Sequence, residues 1–243
     1  MSCAGDGDVG NSTNTNTNLG AFDGPFSVLA RVCPSGDTFG PGADGFATWF
    51  DIGANGGGGN FDWQFFFNIA PDNHELHYLN YTSGAVTLDV VVGVLSAIGI
   101  STVCITHDPA GAGETKLYLA PPGGALTLIG TFVDAYTAPG GLGNLTLFNF
   151  FGVGTEPLHG ELVGIIQWAD VLTIEELAVQ MNSIKPCVRL DAIVNGNGRF
   201  YPMLNEGRVT VDESGNDFDT TLAGTLPTST LMPAVPWGSS PYL

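Results

Sequence analysis

Two aromatic-rich stretches carry the residues best suited to hold a ligand. Phe46, Thr48, Phe50 and Ile52 alternate with Ala47, Trp49 and Asp51, and beyond the glycine run at 56–59 Phe61, Trp63, Phe65, Phe67 and Ile69 alternate with Asp62, Gln64, Phe66 and Asn68. A period of two is that of β-strands, whose successive side chains point to opposite faces. If the two strands pair, Trp49, Asp51, Asp62, Gln64, Phe66 and Asn68 share the outward face and form the predicted ligand-binding set. Aromatic rings stack on the C–H faces of sugars while amides and carboxylates bond the hydroxyls, so the chemistry of this set is glycan binding. The plainer reading, and the favoured one, is a face that is solvated or covered by a loop or a neighbouring subunit.

Catalytic chemistry has no comparable footing. The eight glutamates lie singly apart from Glu175 and Glu176, and that pair sits where a helix N-terminus favours negative charge. His74 and His77 would fall on opposite faces of a strand and form no metal pair, while His107 and His159 stand alone; all four are read as surface or loop histidines. No serine occupies a nucleophile-elbow context, and the glycine run leads into an aromatic strand instead of a phosphate-binding helix. No catalytic residue and no cofactor is expected. Asp6 with Asp8, and Asp217 with Asp219, could offer oxygen ligands to calcium. Ordinary turn carboxylates are the favoured reading for both, so no metal site is predicted and calcium stays the one candidate ion.

Bulk composition narrows the partners. The chain has 243 residues and a formal net charge of −18, from 24 Asp and Glu against six Lys and Arg. Its cations, Arg31, Lys116, Lys185, Arg189, Arg199 and Arg208, do not cluster, and a field of this sign repels nucleic-acid phosphates and anionic lipid heads. Neither nucleic acid nor membrane is an expected partner. Residues 1–20 are polar and glycine-rich, without the basic start and apolar centre of a secretory signal, which predicts folding in a cytosol. Cys3, Cys33, Cys104 and Cys187 show no CxxC pairing and are expected as reduced thiols, with Cys33 and Cys104 in the core. The apolar run 86–100 is broken by Asp89, Gly93 and Gly99, a pattern of sheet strands and not of a membrane span.

The ligand face needs a scaffold, and strands supply it. Thirty-five glycines and 15 prolines punctuating short apolar runs are the composition of an all-β sandwich closed by tight turns. Strands are expected over 26–32, 46–52, 61–69, 76–82, 86–94, 102–106, 117–120, 126–132 and 145–151. The clearest strand and the one convincing helix follow each other in 160–182, GELVGIIQWADVLTIEELAVQMN. Leu162, Gly164, Ile166 and Trp168 alternate there with Val163, Ile165 and Gln167. Thr173 and Glu176 then have the spacing of a capping box, and Ile174, Leu177, Ala178 and Met181 make an apolar stripe that ends before Pro186. The tract Asn11–Asn18, NSTNTNTN, has nothing apolar to bury and is expected as a flexible arm, or as one ordered by a neighbour. At the other end Trp237, Tyr242 and Leu243 are apolar anchors in a proline-rich stretch, predicted to insert into a partner's groove.

The stretch 160–182 also resembles the last core strand and following helix of LamG-like jelly-roll domains in the concanavalin A-like lectin/glucanase superfamily. Residues 25–32, PFSVLARV, are similar to that family's early PFTI-x-x-W strand, with Arg31 in place of the usual aromatic, and 116–119, KLYL, to its KLYV strand. Ile100 and Ser101 stand where a tryptophan is common, and the run 199–225, with YPML, DESGN and LAGT, is similar to the segment beside the jelly roll. The resemblance implies an all-β fold, a two-sheet antiparallel jelly-roll sandwich of concanavalin A-like type with one short helix. Composition and resemblance together predict a flexible arm 1–24, the sandwich 25–187, a packed segment 188–225 and an extended arm 226–243. The ExDxxE pattern of the superfamily's retaining hydrolases is absent. The expected function is a non-enzymatic structural or adhesion module on a phage or virus particle, as a capsid decoration or tail-associated protein that reaches the outside by lysis. A free carbohydrate-binding lectin is the alternative, and a degenerate glycoside hydrolase the second. Other virion or lattice subunits and glycans are the expected partners, in an oligomeric or assembled state.

Overall fold

The computed structural model describes residues 2–3, 11–18, 24–34, 46–54, 61–68, 75–82, 85–95, 99–110, 113–133, 142–147, 160–183, 185–194, 198–202, 212–217, 219 and 221–223. Its strands are β1 Ser2–Cys3, β2 Asn11–Asn18, β3 Phe26–Pro34, β4 Phe46–Ala54, β5 Phe61–Asn68, β6 Glu75–Thr82, β7 Ala85–Val94, β8 Ser101–Asp108, β9 Glu114–Ala120, β10 Thr127–Phe132, β11 Leu142–Leu147, β12 Gly160–Trp168, β13 Arg199–Pro202 and β14 Thr221–Ala223. They form two seven-stranded sheets. The first runs β1-β12-β3-β8-β9-β10 with β13 also on β12, and the second runs β14-β2-β11-β4-β5-β6-β7. All described pairings are antiparallel. Two helices, α1 Ile174–Met181 and the four-residue α2 Asp191–Val194, complete the described elements, so the expectation of a single short helix is corrected by α2. Among the described residues no helix is long and apolar enough to cross a membrane.

The first sheet is covered on both faces. In β8, STVCITHD, every residue from Ser101 to His107 is buried, which is why the strand reads as a run of β-branched and small residues and not as a clean alternation. Its ladder sorts the neighbours: Ile166 opposes Leu29, Leu29 opposes Cys104, and Cys104 opposes Tyr118. That row joins Trp168, Leu172, Leu177, Ile193 and Phe200 in one core under the helices. The adjacent row Val28, Ile105 and Leu117 is equally buried but on the opposite face, toward the second sheet. Gly93 of β7 marks the close approach of the two sheets, because a Cβ there would lie 2.7 Å from Leu119 Cδ2 of β9.

The turn from β12 into α1 is fixed by local chemistry. Buried Ser27 Oγ donates to the Asp170 carbonyl at 2.7 Å and accepts the Leu172 N–H at 2.8 Å. The capping box expected at Thr173 is present: Thr173 Oγ1 accepts the Glu176 N–H at 3.2 Å, and Glu176 Oε2 accepts the Thr173 N–H at 2.9 Å. Leu177 then turns fully inward. Thr173→Ala should therefore lower stability by about 1 kcal/mol, read as a shift of the urea midpoint at unchanged m-value.

Described strands also occur outside the expected sandwich 25–187. Asn11–Asn18 is no free arm but a strand held between β14 and β11. Thr13, Thr15 and Thr17 recur at every second position; β-branched residues favour extended backbone, and the ladder bonds come from the main chain, so an apolar face is not required. The sandwich also reaches past 25–187. β1 and β13 share one edge of β12, with Ser2 opposite Glu161 at one end and Arg199 opposite Gln167 at the other. β14 closes the second sheet beside β2. Trp237, Tyr242 and Leu243 lie outside the described residues.

Candidate functional site

The candidate face is built on β5, β6 and β7. Gln64 opposes Leu79, Phe66 opposes His77 and Asn68 opposes Glu75 in the first ladder; Leu79 opposes Asp89 and His77 opposes Val91 in the second. Directly opposed residues share a face of a sheet, so these positions form one surface. It is the surface turned away from the first sheet: the alternate residues Leu76 and Tyr78 are fully buried, whereas Asp89 and Val91 are exposed.

His77 is the centre of its described chemistry. Nδ1 lies 2.9 Å from Asp89 Oδ1 and Nε2 lies 3.7 Å from Glu75 Oε2, so one imidazole stands between two carboxylates. Its side chain is 11% exposed against 52% for Asp89 and 31% for Glu75, so water or a ligand reaches the acids more readily than the ring. When Nδ1 carries the proton and donates to Asp89, Nε2 is an acceptor; a protonated ring donates from both nitrogens.

The predicted set is divided by its own ladder. Asp51 opposes Gln64, so Asp51, Gln64, Phe66 and Asn68 hold register positions in line with those of Glu75, His77 and Asp89. Trp49 falls in the register shift between Thr48 and Phe50, and Asp62 in the one between Ile52 and Gly53. A bulge puts two residues opposite one and breaks strict alternation, so Thr48 and Phe46 take the positions opposite Phe66 and Asn68.

The reading of the histidines as surface or loop residues is corrected for two of them. His77 is in mid-strand, and His107 is 2% exposed, with Nδ1 2.9 Å from Thr115 Oγ1 and its ring stacked 5.3 Å from that of Phe26. His74 and His159 lie outside the described residues. Glu75, His77 and Asp89 belong to the candidate face but not to the predicted set; the usable signal is Glu75-Leu76-His77, whose two-residue spacing places both polar groups on one strand face.

The other candidate groups have structural duties. Asp219 Oδ1 accepts the Asp212 N–H at 2.8 Å, and Asp217 holds a backbone φ of 58° in the same turn. Among the described residues no group of three or more His, Cys, Asp or Glu side chains is arranged to hold a metal, and Asp6 and Asp8 lie outside them. Cys104 is wholly buried, which raises its thiol pKa far above the ordinary range and leaves it without thiolate character. Cys187 is exposed, with Sγ 2.9 Å from Ser183 Oγ.

No family model matches the sequence, and no curated protein matches it either. Solved structures do resemble the fold. A candidate carbohydrate binding protein from Bacteroides ovatus aligns with a TM-score of 0.54 at 15% identity, over 89% of this chain and 59% of that one. The NanB sialidase from Streptococcus pneumoniae aligns with a TM-score of 0.50 at 12% identity, over 74% of this chain and 28% of the sialidase. A heptameric SAP-like pentraxin from Limulus polyphemus gives 0.49 at 13% identity, over 76% and 82%. The chain thus spans little more than half of the Bacteroides protein and under a third of the sialidase. At these identities the likeness is one of fold, and the fold is an antiparallel two-sheet jelly-roll sandwich.

Proposed function

We propose that the protein is a non-enzymatic adhesion module that binds glycans through the outer face of its second sheet. The observation that carries this reading is the register that sets Asp51 against Gln64, Phe66 against His77 and Asn68 against Glu75 on one surface. An aromatic, two amides, an imidazole and carboxylates side by side are the groups that stack on a pyranose and bond its hydroxyls. The name of the Bacteroides ovatus protein agrees with this use of the fold, although such sandwiches serve binding proteins and hydrolases alike. Within the fold we group the chain with LamG-like modules on the strength of its PFSVLARV and KLYL segments and its capped helix. We further propose that it works outside a cell, on the surface of a virion, where a sugar-facing sheet meets its ligand.

Glycan-array and titration measurements test the site. Gln64→Ala and Asp51→Ala should each weaken binding about tenfold, the loss of one hydrogen bond to a ligand hydroxyl in a partly desolvated site. If both variants keep the near-UV circular dichroism of the wild type and bind every glycan equally well, the face is not the site. The purified protein should release no reducing sugar from polysaccharides. Sustained release that disappears on substitution of a single Asp or Glu would overturn the non-enzymatic part of the reading.

A further inference from the structure

We infer that this face selects amine-bearing sugars, of the glucosamine-oligomer type, over their neutral counterparts and rejects uronate and sialylated glycans. The inference rests on the glycan-binding reading above and adds the charge of the ligand to it. Between Arg31 and Lys116 the sequence contains no Lys or Arg, and none occurs in β2, β4, β5, β6, β7, β11 or β14. The strands of the second sheet therefore carry no fixed positive charge. The described cations lie elsewhere: Arg31, Lys116 and Arg199 in β3, β9 and β13 of the first sheet, and Lys185 and Arg189 beyond α1. Several are already matched, Lys116 by Glu114 at 2.6 Å and Arg189 by Asp170 and Glu176, while Arg199 is buried. Arg208 lies outside the described residues.

On the face itself the signs are one-sided. Asp89 and Glu75 are the solvent-accessible charges around His77, and Asp51 holds a register position on the same surface. The imidazole is the one titratable base described there, and its Nδ1 is engaged by Asp89. Recognition of a sugar carboxylate commonly uses a guanidinium fork, and β4 to β7 have none to offer. An ammonium about 4 Å from Asp89 instead meets a half-exposed carboxylate whose Oδ1 faces His77 Nδ1, an attraction that translates to about five- to tenfold in affinity at an effective dielectric close to that of water.

The test titrates the full chain with a glucosamine oligomer, its N-acetylated counterpart of equal length, and an oligogalacturonate, at low salt and again with added salt. The glucosamine oligomer should bind about five- to tenfold more tightly than the N-acetylated one, the preference should shrink as salt screens it, and the oligogalacturonate should not saturate. Asp89→Asn should reduce the preference to about two- to threefold. Asp191→Asn, the same charge change on exposed α2 beside the other sheet, should leave it unaltered. Oligogalacturonate binding as tight as that of the N-acetylated oligomer would overturn the inference while leaving a glycan-binding protein. Equal erosion by Asp89→Asn and Asp191→Asn would also overturn it, because the preference would then come from the net charge of the whole molecule and not from this face. Failure of all three sugars and of every glycan on an array would remove the glycan reading itself and this inference with it.

Discussion

Trp168→Ala should cost about 3–5 kcal/mol, a large share of the roughly 5–15 kcal/mol by which a domain is stable. Trp168 is wholly buried at the end of β12 and belongs to the core shared by Leu29, Cys104, Leu172, Leu177, Ile193 and Phe200. Its indole Nε1 donates to the Val188 carbonyl at 2.8 Å. One side chain therefore ties the sheet, α1 and the segment that follows it. Removing it opens a cavity under the helix and leaves a carbonyl without its donor, two penalties that add. Because a loss of 1 kcal/mol lowers the melting temperature of a chain this size by about 2–4 °C, the variant should melt roughly 10 °C below the wild type. Trp168→Phe, which keeps most of the ring but not the N–H, should fall between the two. A melting temperature for Trp168→Ala within a degree or two of the wild type would mean that the helix layer is not part of the cooperative fold.

Asp212→Ala should cost about 3 kcal/mol for a different reason. The carboxylate is 6% exposed, and its Oδ1 accepts the backbone N–H of Phe200 at 2.8 Å and of Ser214 at 3.0 Å while Oδ2 accepts Ser214 Oγ at 2.7 Å. The Glu213 N–H in turn donates to the Phe200 carbonyl at 2.8 Å, and Asn216 Nδ2 donates to the Gly198 carbonyl at 2.8 Å. The DESGN turn thus replaces the missing ladder partner along β13 and holds Phe200 in the helix-side core. Alanine would strand the buried Phe200 N–H, whose desolvation is then uncompensated. Asp212→Asn retains an oxygen for both amides, and Ser214 Oγ can redirect its proton to the Gly198 carbonyl, 3.2 Å away, so this variant should lose about 1 kcal/mol. Hydrogen exchange localises the effect: amides of β13 should lose protection first in Asp212→Ala. Equal loss in both variants, or protection of β13 equal to that of the wild type, would contradict this account.

Much of the scaffold is legible in the chain because its signals are local. The alternation of 46–52 and 61–69 recurs as β4 and β5, that of 162–168 as β12, and the Thr173–Glu176 spacing as a capping box, each set by neighbours a few residues apart. β2 escapes such a reading since an apolar stripe is the usual mark of a strand, and NSTNTNTN has none; its threonines suit a ladder whose two partners are more than a hundred residues away. The same limit applies to the candidate face. Alternation within each strand is written in the sequence, but the shifts at Trp49 and Asp62, which decide which polar residues stand in one row, exist only between paired strands. His77 and Asp89 are twelve residues apart and meet because β6 and β7 fold back on each other. Arg199, to composition one more cation, is buried with its Nη1 2.5 Å from Gln167 Oε1 because β13 pairs with β12 on that register. Side-chain periodicity is a property of one strand, whereas register is settled by competition among all the strands that could pair, and that competition takes place only in the folded chain.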